Sequence, residues 1–95
     1  MNDTRTVHII VDGRVQGVGF RAFVAREAGM RAIGGFARNL RNGTVEIVAQ
    51  GDPDAIAALC EACGRGPIGA HVARVDIVDA KDATHFAAFE IKSDA

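Results

Sequence analysis

Hydrophobic and polar positions alternate along much of the chain with a period of two, which is typical of strands. The clearest case is residues 44–50, where Val45, Ile47 and Ala49 fall on one face. Residues 7–11 are instead β-branched and almost wholly apolar, which indicates a central strand covered on both faces or nearly so. The pattern predicts five strands, over residues 7–11, 33–40, 44–50, 72–78 and 89–92.

Two other segments place their apolar residues three and four positions apart, which is the spacing of a helix that packs on one side. The first extends from Arg21 to about Arg31. Its apolar residues are Phe20, Phe23, Val24 and Ala28, and Glu27 and Arg31 add a charged pair four positions apart. The second follows Asp52-Pro53, which is typical of an N-cap residue with proline at the first helical position. Its apolar stripe consists of Ile56, Leu59, Cys60 and Cys63, and it ends at residues 64–67.

These elements follow one another in the order β-α-β-β-α-β-β, and Asn42-Gly43 between the second and third strands is a strong hairpin signal. The order predicts an α+β fold of the ferredoxin-like type, a split β-α-β sandwich with an additional C-terminal strand. Its sheet is dominated by antiparallel pairs and carries two helices on one face. The length of 95 residues predicts a single domain over residues 1–95.

Composition places the chain among ordinary globular proteins, because 48% of its residues are apolar and 24% are charged. Two cysteines are too few for a disulfide-framed secreted module, and residues 1–10 lack the long apolar run of a signal peptide. No segment is long and apolar enough to predict a membrane span. We therefore expect a cytoplasmic protein and, since no long exposed apolar patch is evident, a monomer.

Charge is distributed unevenly along the chain, although the net charge is only −1. Residues 1–47 hold seven arginines against four acidic residues, a balance of +3, whereas residues 48–95 have a balance of −4. Nine of the eleven basic residues are arginines, whose fork of donors suits phosphate and carboxylate groups. The balance excludes a protein that holds long nucleic acid by charge alone, and it favours a small phosphate or carboxylate partner.

The sharpest candidate site is the glycine-containing loop between the first strand and the first helix. Backbone N–H groups of such a loop and of a helix start form an anion site, and here they belong to Val15, Gln16, Gly17, Val18, Gly19 and Phe20. Arg21 lies at the mouth of this site, in a first turn where the helix dipole favours an anion, so something negative should offset it. The simpler alternative is that Gly17 and Gly19 only permit a tight turn and that Arg21 is solvated.

The same loop also matches the dinucleotide fingerprint G-x-G-x-x-A over residues 17–22. We reject that interpretation because Asn39 lies where the ribose-binding acidic residue is expected, and 95 residues cannot build a doubly wound sheet. On the residues alone, Asn39 is typical of a turn residue that bonds its own backbone.

Three motifs carry a resemblance to a known family: residues 13–21 (Gly-Arg-Val-Gln-Gly-Val-Gly-Phe-Arg), 35–40 (Gly-Phe-Ala-Arg-Asn-Leu) and 42–46 (Asn-Gly-Thr-Val-Glu). Together with Gly66-Pro67 and the phenylalanines near the C-terminus, they extend over essentially the whole chain, which resembles the acylphosphatase family. The resemblance implies a ferredoxin-like fold and hydrolysis of acyl phosphates to carboxylate and inorganic phosphate. It also implies that Arg21 binds the phosphate and that Asn39 positions the attacking water.

The chain departs from the family pattern at two places. Phe36 and Ala37 stand where the family usually has tryptophan and valine, a change expected to trim the pocket wall while keeping an aromatic ring. Ala32 stands where a glycine is usual after the first helix, and an alanine there would be strained if the position needs a positive φ.

The site residues implied by the resemblance suit this reaction. An acyl phosphate releases a carboxylate whose conjugate acid has a pKa of about 4, so no general acid is needed. Arg21 and the loop amides would neutralise the phosphoryl oxygens, and the Asn39 carboxamide, which cannot act as a base, would align water. We therefore expect no cofactor and no metal, a small acyl phosphate as the substrate, and inorganic phosphate as a product.

Other candidate groups favour structural interpretations. Cys60 and Cys63 form a lone C-x-x-C on the apolar stripe of the second helix, so we expect Cys60 in the core and Cys63 in the core or at its edge. His8 is expected on a sheet face, and His71 and His85 in loops. The functional alternative is a non-catalytic ferredoxin-like module that binds a phosphorylated ligand. RNA is disfavoured as that ligand because the chain has no Tyr or Trp to stack on bases.

Overall fold

The computed structural model describes residues 3–81 and 84–95 and contains the predicted elements in the predicted order. The strands are β1 (Arg5–Arg14), β2 (Gly34–Asn39), β3 (Val45–Gly51), β4 (His71–Asp79) and β5 (Phe89–Ile91). The helices are α1 (Phe20–Gly29) and α2 (Pro53–Arg65). Residues 1, 2, 82 and 83 of the expected single domain lie outside the described residues.

The five strands form one sheet in the order β4-β1-β3-β2-β5. β1 pairs antiparallel with both β3 and β4, β2 pairs antiparallel with β3, and the short β5 runs parallel to β2. The buried residues of α1 and α2 pack with those of one sheet face into a single core. The predicted ferredoxin-like α+β class, with its antiparallel-dominated sheet and additional C-terminal strand, is confirmed.

The core lies between the sheet and the helices and follows the predicted alternation. Val45, Ile47 and Ala49 of β3 are fully buried, and the residues between them face the other side of the sheet. In β1 the residues that face the helices are buried as well, but His8 and Ile10 lie half-buried on the open face. The prediction that β1 is covered on both faces or nearly so is therefore wrong, because both helices lie on one side.

Long-range pairing makes β1 and β4 longer than their hydrophobic patterns predict. β1 extends over Arg5–Arg14 because it bonds to β3 and β4 along most of its length. His71, expected in a loop, is the first residue of β4 and lies opposite Arg14. Polar residues at strand ends are thus fixed by their cross-strand neighbours rather than by local alternation.

The end of α1 differs from its prediction. The helix stops at Gly29, before the expected end near Arg31, because the chain turns at Ala32, whose φ is 54°. The Ile33 N–H then donates to the Ala28 carbonyl at 3.0 Å and closes the helix end. An L-residue is strained in this left-handed conformation, so the strain expected of an alanine at position 32 is present.

α2 has the predicted ends. The Asp52 carboxylate accepts a hydrogen bond from the Asp54 N–H, Pro53 occupies the first turn, and Gly66 follows the last residue with a φ of 68°. In the described part of the chain neither helix, of 10 and 13 residues, is long and apolar enough to cross a membrane.

Cys63 of α2 lies in the core, as one of its two expected positions allowed, whereas Cys60 does not. Cys63 is fully buried in the core, whereas Cys60 is half-buried and packs against its edge, because Ile56, Leu59 and Cys63 form the helix face nearest the sheet. Burial raises the pKa of the Cys63 thiol to about 12 and also raises the pKa of the Cys60 thiol. Both thiols are therefore protonated near neutral pH and serve packing.

Candidate active site

A cavity of about 270 Å³ opens where the loop after β1, the start of α1 and the ends of β2 and β5 meet. It is lined by Val15, Gly17, Gly19, Phe20, Arg21, Ala22, Asn39 and Ile91. The cavity thus brings the predicted loop together with Arg21 and Asn39. Asn39 reaches this position because β2 lies one strand away from β1, with β3 between them.

Two glycines shape the loop of residues 15–19. Gly17 and Gly19 have φ angles of 74° and 76°, in the left-handed region that glycine adopts without strain. α1 begins directly after Gly19, and no side chain caps its first turn. Within residues 3–81 and 84–95, the backbone N–H groups of residues 15–22 donate to no protein acceptor. These open donors at a helix start give the loop the chemistry of an anion site.

Arg21 lies in the first turn of α1, with 29% of its side chain exposed. Its Nη1 group donates to the carbonyl oxygen of Lys92 at 2.8 Å and lies 3.1 Å from a carboxylate oxygen of Asp94. The sequence predicts that something negative offsets Arg21, and Asp94 supplies that charge. Neither Lys92 nor Asp94 is identified from the sequence, because no local pattern links the C-terminal segment to the first helix.

Asn39 is the last residue of β2 and is only 8% exposed. It lies opposite Val45, so its side chain faces the helix side of the sheet. Among the described residues its carboxamide bonds to no protein group, so it is not the self-bonded turn residue of the sequence alternative. Asn42 has that role, since its Oδ1 accepts from the Thr44 N–H at 3.1 Å. A nearly buried amide requires a partner, and the group available to it is water or a ligand in the cavity.

Gln16 has a role that its place in the predicted loop does not reveal. Its Nε2 donates to the carbonyl oxygens of Leu40 at 2.7 Å and of Thr44 at 2.9 Å. These two carbonyls belong to the β2–β3 connection that follows Asn39. The Gln16 side chain therefore fixes the loop to the hairpin, and with it the separation between the loop amides and Asn39. Gln16 and Val18 complete the predicted loop outside the cavity lining.

Phe36 and Ala37 do not form the pocket wall, so the expectation that they trim it is wrong. Strand alternation places Ala37 in the fully buried core and Phe36 on the open face of the sheet. There the Phe36 ring makes an edge contact with Phe86, at 6.3 Å between centroids, and lies 4.2 Å below the Lys92 ammonium. Neither residue therefore contributes to the lining of the cavity.

The open face also carries a charged cluster around Glu46. Its carboxylate lies 2.8 Å from His8 Nε2 and accepts from Arg38 Nε at 3.0 Å. Burial opposes ionisation of Glu46, but the hydrogen bonds and charges of His8 and Arg38 together lower the pKa of its carboxyl from 4.5. His8 is thus the sheet-face residue predicted, and Arg38 forms an ion pair with Glu46.

A larger cavity of about 460 Å³ lies at the opposite end of the sheet, near the start of β2. Its lining residues are Thr4, Ala25, Gly29, Ala32, Ile33, Gly34, Gln50, Gly51, His85, Phe86, Ala87, Ala88 and Phe89. No arginine or lysine lines it, and no three metal-ligating side chains cluster among residues 3–81 and 84–95. The smaller cavity therefore holds the groups suited to an anion.

The fold and the smaller cavity define the class of protein: a ferredoxin-like domain with a candidate anion pocket at one end of its sheet. A family profile described as Acylphosphatase matches residues 7–91. The acylphosphatase of Azorhizobium caulinodans is 53% identical over 73 residues, which are 77% of this chain and 78% of that protein. The acylphosphatase of Methylococcus capsulatus is 41% identical over 90 residues, which are 95% of this chain and 98% of that protein.

A solved structure agrees with these sequence relatives. The crystal structure of acylphosphatase from Bacillus subtilis superposes with a TM-score of 0.90 at 38% sequence identity, covering 93% of this chain and 98% of that one. The chain belongs to the acylphosphatase family.

Proposed function

We propose that the cavity formed by the loop after β1, Arg21 and Asn39 is where this member of the acylphosphatase family hydrolyses small acyl phosphates. The observation that carries the proposal is the convergence of three groups on about 270 Å³: open backbone donors, an arginine and an unpartnered carboxamide. Each group suits a different part of the reaction. The loop amides and Arg21 would hold the phosphoryl group, and Asn39 would hold water.

In the proposed reaction the oxygen of water attacks phosphorus, and the bond between phosphorus and the acyl oxygen breaks. The electron pair of that bond leaves with the carboxylate. Because the conjugate acid of the carboxylate has a pKa of about 4, the leaving group needs no proton. The proton of the attacking water passes to the phosphate or to solvent, and the products are a carboxylate and inorganic phosphate.

Arg21 and the amides of residues 15–20 would act by charge neutralisation and positioning. Phosphoryl transfer develops charge on the equatorial oxygens, and donors fixed in advance stabilise that charge without reorganising. The guanidinium fork can bind two of these oxygens together. Catalysis of this kind needs neither a metal ion nor a cofactor, because the leaving group is already a stable anion.

Asn39 would align the nucleophile rather than activate it. Its carboxamide oxygen accepts a hydrogen bond from water and its NH₂ group donates to the substrate, but the group does not take up a proton near neutral pH. Since Asn39 is nearly buried, the water it holds would face the phosphoryl group with little freedom.

The proposal also covers the compartment, the oligomeric state and the domain organisation of the chain. Free thiols at Cys60 and Cys63 support a reducing, cytoplasmic compartment. The exposed large apolar residues in the described part of the chain are scattered over loops and several elements, which supports a monomer built as one domain over residues 1–95. Neither nucleic acid nor a membrane is proposed as a partner. Sedimentation velocity at micromolar concentration tests the monomer.

The experiment measures hydrolysis of benzoyl phosphate by the purified chain in excess chelator. We expect turnover by the wild type and losses of at least about 100-fold in kcat/KM for Arg21→Ala and for Asn39→Ala. Arg26→Ala, an exposed arginine of the same helix, is the matched control and should retain activity. Circular dichroism verifies that each variant is folded.

Two outcomes would contradict the proposal. Activity that chelator abolishes and added metal restores would reject a metal-independent mechanism. A folded wild type that binds inorganic phosphate through Arg21 without turning over benzoyl phosphate would favour a non-catalytic module that recognises a phosphorylated ligand.

A further inference from the structure

The C-terminal segment of residues 92–95 lies along the rim of the cavity. The Lys92 N–H donates to the Ala37 carbonyl at 2.9 Å, and the Ala95 N–H donates to the Asn39 carbonyl at 3.0 Å. The segment thus continues the parallel pairing of β5 with β2 as far as the residue that lines the cavity. Among its side chains, that of Asp94 contacts Arg21, which lines the cavity.

This segment gives Arg21 two acceptors of different charge. The Lys92 carbonyl, which is neutral, accepts from Nη1 at 2.8 Å, and the Asp94 carboxylate, which is an anion, lies 3.1 Å from the same nitrogen. A guanidinium has five N–H donors. Both contacts use Nη1, so the donors on the other two nitrogens stay available to a ligand.

We propose that Asp94 is a positioning residue for Arg21 and that it lowers the affinity of the cavity for phosphate. The Asp94 carboxylate holds the guanidinium in the ligand-free chain and gives way to the phosphoryl group when one binds. The inference rests on the proposed function of the cavity. It adds a residue that sets phosphate affinity through Arg21.

The charge balance around Arg21 supports an exchange of anions. A cation in the first turn of a helix is disfavoured by the helix dipole, and a nearby anion relieves this. Asp94 provides that anion when the cavity holds no ligand. A bound phosphoryl group brings a larger negative charge to the same guanidinium, and two anions at one cation repel each other.

The contacts of Asp94 make its departure easy. Its side chain is 66% exposed, and exposed ion pairs contribute little to stability. The Lys92 carbonyl does not depend on the side chain at position 94, so Arg21 keeps a neutral acceptor when Asp94 leaves. Removal of the carboxylate charge should therefore strengthen phosphate binding without releasing Arg21.

The test compares the wild type with Asp94→Asn. Titration calorimetry gives the Kd of inorganic phosphate, and benzoyl phosphate hydrolysis gives KM and kcat. We expect the Kd and the KM to fall about three- to tenfold in Asp94→Asn, with kcat changed less than about twofold. Asp94→Glu, which keeps the charge, should stay within about twofold of the wild type.

Asp79→Asn is the matched control. Asp79 lies at the end of β4, away from the cavity. Its side chain is 68% exposed and lies 3.0 Å from Arg5 Nε of β1. This variant makes the same change of net charge and should leave the Kd and the KM unaltered. In about 1 M salt, where the Debye length is about 3 Å, the difference between the wild type and Asp94→Asn should shrink, which a purely structural effect would not do.

A Kd or a KM that is unchanged or higher in Asp94→Asn would overturn the inference, as would a kcat more than about tenfold lower, since Asp94 would then support the working orientation of Arg21. These results leave the proposed function standing, because the wild type still binds and hydrolyses. A wild type that neither binds phosphate nor hydrolyses benzoyl phosphate would overturn both.

Discussion

The two helices begin in opposite ways. α2 follows the Asp52 carboxylate, which accepts from the Asp54 N–H, and Asp54 adds a second negative charge to the first turn. α1 follows Gly19, with no side-chain cap and no acidic residue in its first turn, and it carries Arg21 there instead. Both helices pack on the same face of the sheet, so the contrast lies in their ends.

The C-terminal ends of the two helices also differ, and again α2 has the residue type that favours a helix end. Gly66 takes a positive φ after α2, where glycine is free of strain, whereas Ala32 takes a positive φ after α1. α2 thus follows the local rules of helix formation at both ends and serves stability. α1 departs from those rules at both ends, and its uncapped start is the end that faces the cavity. Open donors are what a ligand site requires, and a side-chain cap would occupy one of them and place its own oxygen there.

The largest effect is expected when the start of α1 is given a carboxylate like the one that caps α2. Gly19→Asp has room for its side chain, since a Cβ at that position would have no neighbouring atom within 4 Å, but it places a fixed negative charge where the phosphoryl group would bind. We expect kcat/KM for benzoyl phosphate to fall at least about 100-fold relative to Gly19→Asn, an uncharged side chain of the same size.

Gly19→Asn is the proper reference because asparagine tolerates the left-handed conformation that Gly19 adopts, with φ of 76°. Equal activities of the two variants would mean that no anion binds at the start of α1.

The next largest effect is expected at the end of α2. Gly66 has φ of 68° and ψ of 176°, a combination that is essentially restricted to glycine. A Cβ there would also lie 3.0 Å from Phe20 Cε2 and 3.2 Å from Ala70 Cβ. Gly66→Ala should lower the free energy of unfolding by about 2 kcal/mol, measured by urea denaturation. Gly64→Ala is the control, because a Cβ there would have no neighbouring atom within 4 Å and the φ of Gly64 is not positive.

Loss of the α2 cap is expected to cost less and to spare activity. Asp52→Ala removes the acceptor of the Asp54 N–H and should lower the free energy of unfolding by about 1 kcal/mol. Asp52→Asn retains a capping oxygen and should lie close to the wild type. A change in the KM for benzoyl phosphate in either variant would show that the start of α2 influences the cavity at the start of α1.

The smallest effect should be a gain in stability. Ala32→Gly gives α1 the kind of C-terminal residue that α2 already has, and it relieves a left-handed alanine with φ of 54°. We expect the free energy of unfolding to rise by about 0.5–1 kcal/mol, since the relief of strain exceeds the added backbone entropy of glycine in the unfolded chain. Ala32→Val, which is β-branched, should lower it. An unchanged melting midpoint for Ala32→Gly would mean that the position is unstrained.

Much of the fold was predictable because its signals are local. The alternation in β3, the Asn42-Gly43 turn and the Asp52-Pro53 helix start each act over a few residues, and each is present as predicted. The full length of β1 was not predictable, since pairing with β4 as far as Arg14 and His71 is a long-range contact. Cys60 was expected in the core but lies at its edge, because the hydrophobic stripe does not determine the rotation of α2.

The residues of the candidate site likewise separate into those with local sequence signals and those brought together by long-range contacts. The glycine loop and Arg21 stand out in the sequence, because backbone donors, a helix start and a cation are adjacent along the chain. Asn39 needed the family resemblance, since its proximity to Arg21 depends on the order of the strands. The sequence predicted a negative charge near Arg21 but not that Asp94 supplies it, because the C-terminal segment reaches α1 only once the sheet has formed.

The side chain of Gln16 has a consequence for how a bound ligand would be sensed. Its Nε2 bridges the loop to the carbonyls of Leu40 and Thr44, so the loop and the β2–β3 connection form one mechanical unit. An anion that orders the loop should therefore slow amide hydrogen exchange in residues 40–44, although those residues lie outside the cavity lining. Anion binding in the cavity would then be detected as slower amide hydrogen exchange in the β2–β3 connection, which does not line the cavity.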